Sequence, residues 1–128
     1  MNADRPARIL VVDDNEDATR VLTLAFCDKG YDLRAAHDAG EALELAAKFR
    51  PNIAIVDIGM PVMDGYELAV QLRKLPGLKR MHLIALTGFS EVADRGRARA
   101  AGFDHHLVKP VEIDALERVL AAMGGAAR

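Results

Sequence analysis

The run Ile53-Ala54-Ile55-Val56 contains no polar residue and stops at a carboxylate, Asp57. Two isoleucines and a valine in four positions suit a strand buried on both faces, which belongs to a parallel sheet covered by helices. In open sheets of that kind, ligands gather in the crevice beyond the carboxyl ends of the strands. Asp57 is therefore a candidate functional residue from its position alone. Ile58-Gly59-Met60-Pro61 follows, and the stretch from Pro61 to Gly65 has the chemistry of a turn.

Similar runs recur along the chain. Arg8-Ile9-Leu10-Val11-Val12 ends in Asp13-Asp14, His82-Leu83-Ile84-Ala85-Leu86 ends in Thr87, and Phe103 to Val108 leads into Lys109-Pro110. Tyr31 to Ala36 alternates weakly and reads as an edge strand. Helical patterns lie between the strands. Asn15 or Asp14 can cap a helix carrying Ala18, Val21, Leu22 and Ala25, with Glu16 and Asp17 in its first turn and Gly30 as its stop. Asp38 and Glu41 form a capping-box pattern ahead of Ala42, Leu45, Ala46 and Phe49, and Arg50-Pro51 closes that helix. A third helix runs from Tyr66 to Leu75 and stops at Pro76-Gly77. Ser90 can cap a fourth that reaches about Ala101, with a thin apolar side of Val92, Ala93 and Ala100 and a weakening Gly96. That helix is expected to be the most mobile. The last carries Ile113, Leu116, Leu120 and Met123, then frays at Gly124-Gly125.

Five strands alternating with five helices predict an α/β fold: a doubly wound, five-stranded parallel sheet with right-handed crossovers, in three layers. The reading is one domain over residues 1–128 with a core of about 8–123. A chain of this length buries about two thirds of its unfolded surface and needs no disulfide or structural metal. Cys27 has no partner for an intrachain bridge and is expected to be a small buried hydrophobe in a reducing, cytoplasmic setting. No apolar run approaches a membrane span. Seventeen basic against nineteen acidic residues leave no electrostatic footprint for nucleic acid. The spacing of Arg95, Arg97 and Arg99 reads as a solvated helix rather than a phosphate-binding patch.

A parallel sheet brings the carboxyl ends of its strands to one edge, so Asp13, Asp14, Asp57, Thr87 and Lys109 should converge there. Clustered carboxylates are relieved by a raised pKa or a bound cation. An all-oxygen set with open positions suits Mg²⁺, or Mn²⁺, which keeps waters and recruits phosphate oxygens. A metal, a lysine and a hydroxyl around a carboxylate supply what transfer of a phosphoryl group to that carboxylate needs.

Asp13-Asp14, Asp57 with Met60-Pro61 and Gly65, Thr87-Gly88 and Lys109-Pro110 resemble, in order and spacing, the CheY-like receiver domain of two-component response regulators. The resemblance covers essentially the whole chain and implies a flavodoxin-like strand order of 2-1-3-4-5. It implies that Asp57 accepts a phosphoryl group from a histidine kinase or histidine phosphotransfer protein. Asp14, Asp57 and the Gly59 carbonyl would bind the metal, and Asp13 would hold metal-bound water. Lys109 would pair with phosphate oxygens, before a cis bond to Pro110. Thr87 would turn inward and bias a bistable face formed by the fourth helix, fifth strand and fifth helix. The domain would assist its own phosphorylation and dephosphorylation without being an enzyme for an external substrate.

Three positions depart from the family pattern or tune it. The aromatic residue that usually swings with the threonine is here His106, a flat ring whose proton titrates near neutrality, which would make output pH-dependent. Gly59 and Phe89 stand where phosphoryl lifetime is set, glycine opening the acyl phosphate to water and phenylalanine shielding it. Gly59, the run Ala85-Leu86-Thr87-Gly88 and the 102–110 ending resemble receivers of hybrid kinases, so the chain reads as a natural single-domain regulator or an excised receiver. Output is expected through an unassigned protein effector, by a monomer or by a dimer formed on phosphorylation, without nucleic acid or membrane. Competing readings are a phosphorylation-independent docking module, a Mg²⁺-dependent aspartyl phosphatase, which would want an acid where Gly59 stands, and a flavodoxin-like carrier, whose phosphate Asp13 and Asp14 would repel.

Overall fold

A computed structural model describes residues 7–60, 63–88, 95–109 and 111–123, with the backbone alone at Arg95. Strands and helices alternate as β1 (Arg8–Val12), α1 (Glu16–Cys27), β2 (Asp32–Ala36), α2 (Ala39–Phe49), β3 (Ile53–Asp57), α3 (Gly65–Arg73), β4 (His82–Thr87), α4 (Arg95–Ala101), β5 (His105–Val108) and α5 (Ile113–Ala122). Neighbouring strands are all parallel, in the order β2-β1-β3-β4-β5. The chain runs outward to β2, then returns past β1 to β3. The crevice between β1 and β3 is thus the topological switch point, where open α/β sheets bind ligands.

Period-two alternation along the strands explains the layers. Leu10, Val12, Ala54, Val56, Leu83 and Ala85 face one side, against Ala42 and Ala46 of α2 and Leu68 and Leu72 of α3. Ile9, Val11, Ile53, Ile55, Ile84 and Leu86 face the other, against Leu22 and Phe26 of α1 and Leu116 and Leu120 of α5. Each fully buried side chain of this kind contributes about 1.5–3 kcal/mol, so the central strands anchor everything attached to their ends.

Three helices are capped at the functional edge by the side chain that precedes them. Asn15 accepts from the Ala18 amide at 3.1 Å, Asp38 from Glu41 at 2.7 Å, and Asp64 from Glu67 at 3.0 Å. The capping box at Asp38 is reciprocated one residue early, the Glu41 carboxylate accepting from the His37 amide at 2.7 Å.

Several expectations need correction. Cys27 is exposed, not buried. The buried stripe of α1 is Thr19, Leu22 and Phe26, so Cys27 lies about 100° past Phe26, and Val21 also points outward with 60% of its surface exposed. Thr19 takes an inward position because its hydroxyl donates to the Glu16 carbonyl at 3.0 Å. Ala98 packs against the core and Ala101 is buried, whereas Ala100 is exposed. α3 begins at Gly65, which is a helix residue and not part of the turn. Ser90, Val92, Ala93, Phe89, Pro61, Pro110 and Gly124-Gly125 lie outside the described residues, and with them the cap of α4 and the bond to Pro110.

Candidate functional site

The carboxyl ends of β1, β3 and β4 deliver Asp13, Asp57 and Thr87, which are 2%, 5% and 2% exposed. Polar side chains this deep need partners, and the edge supplies them. Asp14, one residue further along, is exposed. Carboxylate oxygens of Asp13, Asp14 and Asp57 all lie within 4.8 Å of one another. Lys109 follows β5 and reaches across the sheet edge, its backbone N–H donating to the Thr87 carbonyl at 2.8 Å. Its ammonium donates to Asp57 Oδ2 at 2.8 Å and approaches Asp13 Oδ2 at 3.1 Å.

The remaining oxygens are held by backbone amides. Asn15 N–H donates to Asp13 Oδ1 at 3.0 Å, and Gly59 N–H donates to Asp57 Oδ1 at 2.9 Å. Asp57 is therefore oriented by a lysine on one oxygen and a loop amide on the other. Burial pushes the Asp13 carboxyl above its ordinary range, against the opposing pull of the Asn15 amide and Lys109. Burial alone would lower the Lys109 ammonium, yet its bonds to Asp57 and Asp13 outweigh that effect and raise it. Lys109 stays cationic at neutral pH.

Thr87 completes the edge. Its hydroxyl lies 3.3 Å from His106 Nε2, so the two residues expected to move together are in contact here. Behind them is a cavity of about 310 Å³ whose lining includes Ile58, Ala85, Thr87, Phe103 and His106. Gly59 is exposed beside Asp57. Phe89, expected with Gly59 to tune phosphoryl lifetime, lies outside the described residues.

The three carboxylates fit a hard divalent cation. Oxygen donors from two strand ends converge, one of them is buried at a cost that a cation would offset, and the exposed Asp14 leaves the cluster open to solvent and phosphate. Two supports go beyond the sequence reading, the packing role of Gly65 and a contact from α4. Gly65 is needed because a Cβ there would stand 2.5 Å from Ile58 Cα and 2.8 Å from the Asp57 carbonyl oxygen. The first turn of α3 is thereby seated on the backbone that carries Asp57. The second is a contact from α4: Arg97 Nη2 donates to Asp64 Oδ2 at 3.1 Å and its guanidinium lies 4.2 Å from the Tyr66 ring centroid. The Asp64-x-x-Glu67 pattern announces the cap, but nothing in the sequence announces its partner.

Comparison with known proteins agrees with this geometry. Residues 9–121 match the response regulator receiver domain. An uncharacterized 14.6 kDa protein from the sodA1 3′ region of Leptolyngbya boryana is 39% identical over 104 residues, covering 81% of this chain and 79% of the relative. The response regulator MprA of Mycolicibacterium vanbaalenii is 38% identical over 118 residues, 92% of this chain but 49% of the relative. The chain thus spans about half the length of that longer regulator. Among solved structures, chemotaxis protein CheY4 of Vibrio cholerae superposes with a TM-score of 0.85 at 30% identity, covering 91% of this chain and 98% of that one. With the strand order, the acidic edge and these matches in agreement, the chain belongs to the response regulator receiver domain family of two-component systems.

Proposed function

We propose that Asp57 is the phosphoacceptor of a signalling switch, phosphorylated by a histidine kinase or histidine phosphotransfer protein. The observation that supports this most is the two-sided restraint of a buried carboxylate: Lys109 on Oδ2, Gly59 N–H on Oδ1, and carboxylates of Asp13 and Asp14 alongside. In the transfer, an Asp57 oxygen attacks phosphorus, the phosphorus–nitrogen bond of the donor breaks, and the imidazole leaves with its electron pair. Lys109 balances the growing negative charge on the phosphoryl oxygens, and the Gly59 amide keeps the attacking carboxylate in line. Asp14, Asp57 and the Gly59 carbonyl would hold Mg²⁺, with Asp13 acting through water, and the ion would neutralise phosphoryl charge when bound.

Thr87 exchanges His106 for a phosphoryl oxygen, and His106 follows toward the cavity behind it. The readout is the face formed by α4, β5 and α5, presented to a protein effector. Because catalysis stops at the protein's own carboxylate, the domain acts as a switch and not as an enzyme on external substrates. Gly59 leaves the acyl phosphate open to water, so its lifetime is set by the surrounding loops. We take the residues from about 8 to 123 as one receiver unit. No described helix is long and apolar enough to cross a membrane.

Intact mass after incubation with Mg²⁺ and acetyl phosphate tests this reading. The parent should gain one labile phosphate, Asp57→Ala none, and Lys109→Met far less. Equal phosphorylation of Lys109→Met, or a docking module that never takes phosphate from any donor, would contradict it.

A further inference from the structure

α4 is held to the rest of the molecule in two different ways. At its carboxyl end the Arg73 guanidinium donates to the carbonyls of Lys79 at 3.0 Å, Met81, and Gly102 at 2.6 Å, the last being the residue that follows α4. That side chain is 24% exposed, and besides these backbone bonds it pairs with the Asp104 carboxylate at 3.4 Å, so the anchor is firm. Within its first described turn, α4 is held by Arg97, 54% exposed, against Asp64 at 35%. Exposed pairs of this kind are weak and easily exchanged. A helix fixed at one end and lightly fastened at the other can pivot.

The light fastening leads to the phosphoacceptor strand. Asp64 and Tyr66, both in contact with Arg97, flank Gly65. Gly65 donates its amide to the Ile58 carbonyl at 3.3 Å and has no room for a Cβ above Asp57 and Ile58. Ile58 in turn donates to the Leu86 carbonyl at 3.1 Å, which ties this backbone to β4. Tyr66 also meets Phe103 edge to face at 6.3 Å, closing the contact between α3 and the end of α4. A path from Asp57 to α4 therefore runs through α3, alongside the one through Thr87 and His106, whose cavity Ile58, Tyr66 and Phe103 also line.

We propose that Arg97 is a positioning residue that couples the placement of α4 to the backbone carrying Asp57, through Asp64 and Tyr66 on either side of Gly65. This rests on the phosphoacceptor reading above. A phosphoryl group on Asp57 takes over an oxygen now held by Lys109 or by the Gly59 amide. The strand end and the seat of Gly65 shift with it, Asp64 and Tyr66 turn from under Arg97, and α4 pivots about Arg73. Coupling is reciprocal, so loosening Arg97 favours the phosphorylation-competent arrangement.

The test uses Arg97→Met, which keeps apolar bulk over Tyr66, and Asp64→Asn, which keeps a cap for Glu67, singly and together. Both sites are on the surface and neither variant empties the core, so folding is not at stake. Readouts are the initial rate of phosphorylation by acetyl phosphate with Mg²⁺, and hydrogen exchange of the α4 amides before and after phosphorylation. Each single variant should raise the rate about three- to fivefold, the double should exceed neither, and α4 in the unphosphorylated variants should exchange as it does in the phosphorylated parent. Faster α4 exchange with an unchanged rate would reduce Arg97 to a structural contact and overturn the proposal. Multiplying effects in the double variant would show that the two residues act separately, and would overturn it as well. A parent that takes no phosphate would sink the phosphoacceptor reading itself, and this proposal with it.

Discussion

Asp13 and Lys109 define the electrostatics of the edge at the residue scale. Asp13 is 2% exposed, and burial raises its pKa above the ordinary 3.8. An acid raised in the folded state favours its neutral form there, so the stability it offers is complete below 3.8 and is lost as pH rises through the raised value. At neutral pH the metal-free protein carries that loss. Asp13→Asn should therefore stabilise the metal-free protein at neutral pH. The advantage should shrink as pH falls through the raised value and vanish below 3.8. Thermal melts in chelator across that window check it, and the same variant should gain less from added Mg²⁺ than the parent. A variant that melts earlier than the parent at neutral pH would show that the Asn15 and Lys109 bonds outweigh burial. Lys109 carries the opposite sign of chemistry: its raised pKa marks stability present below the ordinary 10.5 and lost only as pH climbs through the higher folded value. The site is thus a place where stability is traded for charge that a cation or phosphoryl group can use.

Among the elements, α3 matters most because its first residue is also part of the site. Gly65→Ala would gain about 1 kcal/mol of helix propensity on an open surface. Here the added methyl meets Ile58 Cα and the Asp57 carbonyl oxygen, so we expect a net loss of about 1–3 kcal/mol in urea unfolding together with slower phosphorylation. A stabilised Gly65→Ala would show that α3 is not seated as described. The helices also show what a sequence can and cannot disclose. Caps at Asn15 and Asp38 are local patterns, legible in the residues themselves, whereas Asp64 falls in a stretch that reads as a turn and is a cap as well. The inward stripe of α1 is not, because Thr19 takes a buried place through a bond to its own helix while Val21 and Cys27 face out. Apolar spacing on a short helix admits two stripes a residue apart, and only the packing partner decides between them. Arg97 is the same case at longer range: read as a solvated arginine, it is engaged with Asp64 and Tyr66 across 33 residues of chain.

Over the whole molecule, parallel topology converts five dispersed sequence positions into one site. Continuous apolar runs mark β1, β3 and β4 as strands covered on both faces, and their polar final residues have to meet at one edge. Strand order came from the family resemblance, since periodicity alone does not order strands. Contacts that stabilise the edge, such as the amides of Asn15 and Gly59 on Asp13 and Asp57, come from backbone and leave no mark in residue type. The proposed acceptor is one side chain, Asp57. The decisive experiment is to reduce the phosphorylated protein with borohydride, which converts an acyl phosphate of aspartate to homoserine, and to sequence the peptides by mass spectrometry. Homoserine is expected at position 57 alone, dependent on Mg²⁺ and on a phosphodonor. Homoserine at position 13 or 14, or none at any position after exposure to a phosphohistidine donor, would refute Asp57 as the acceptor.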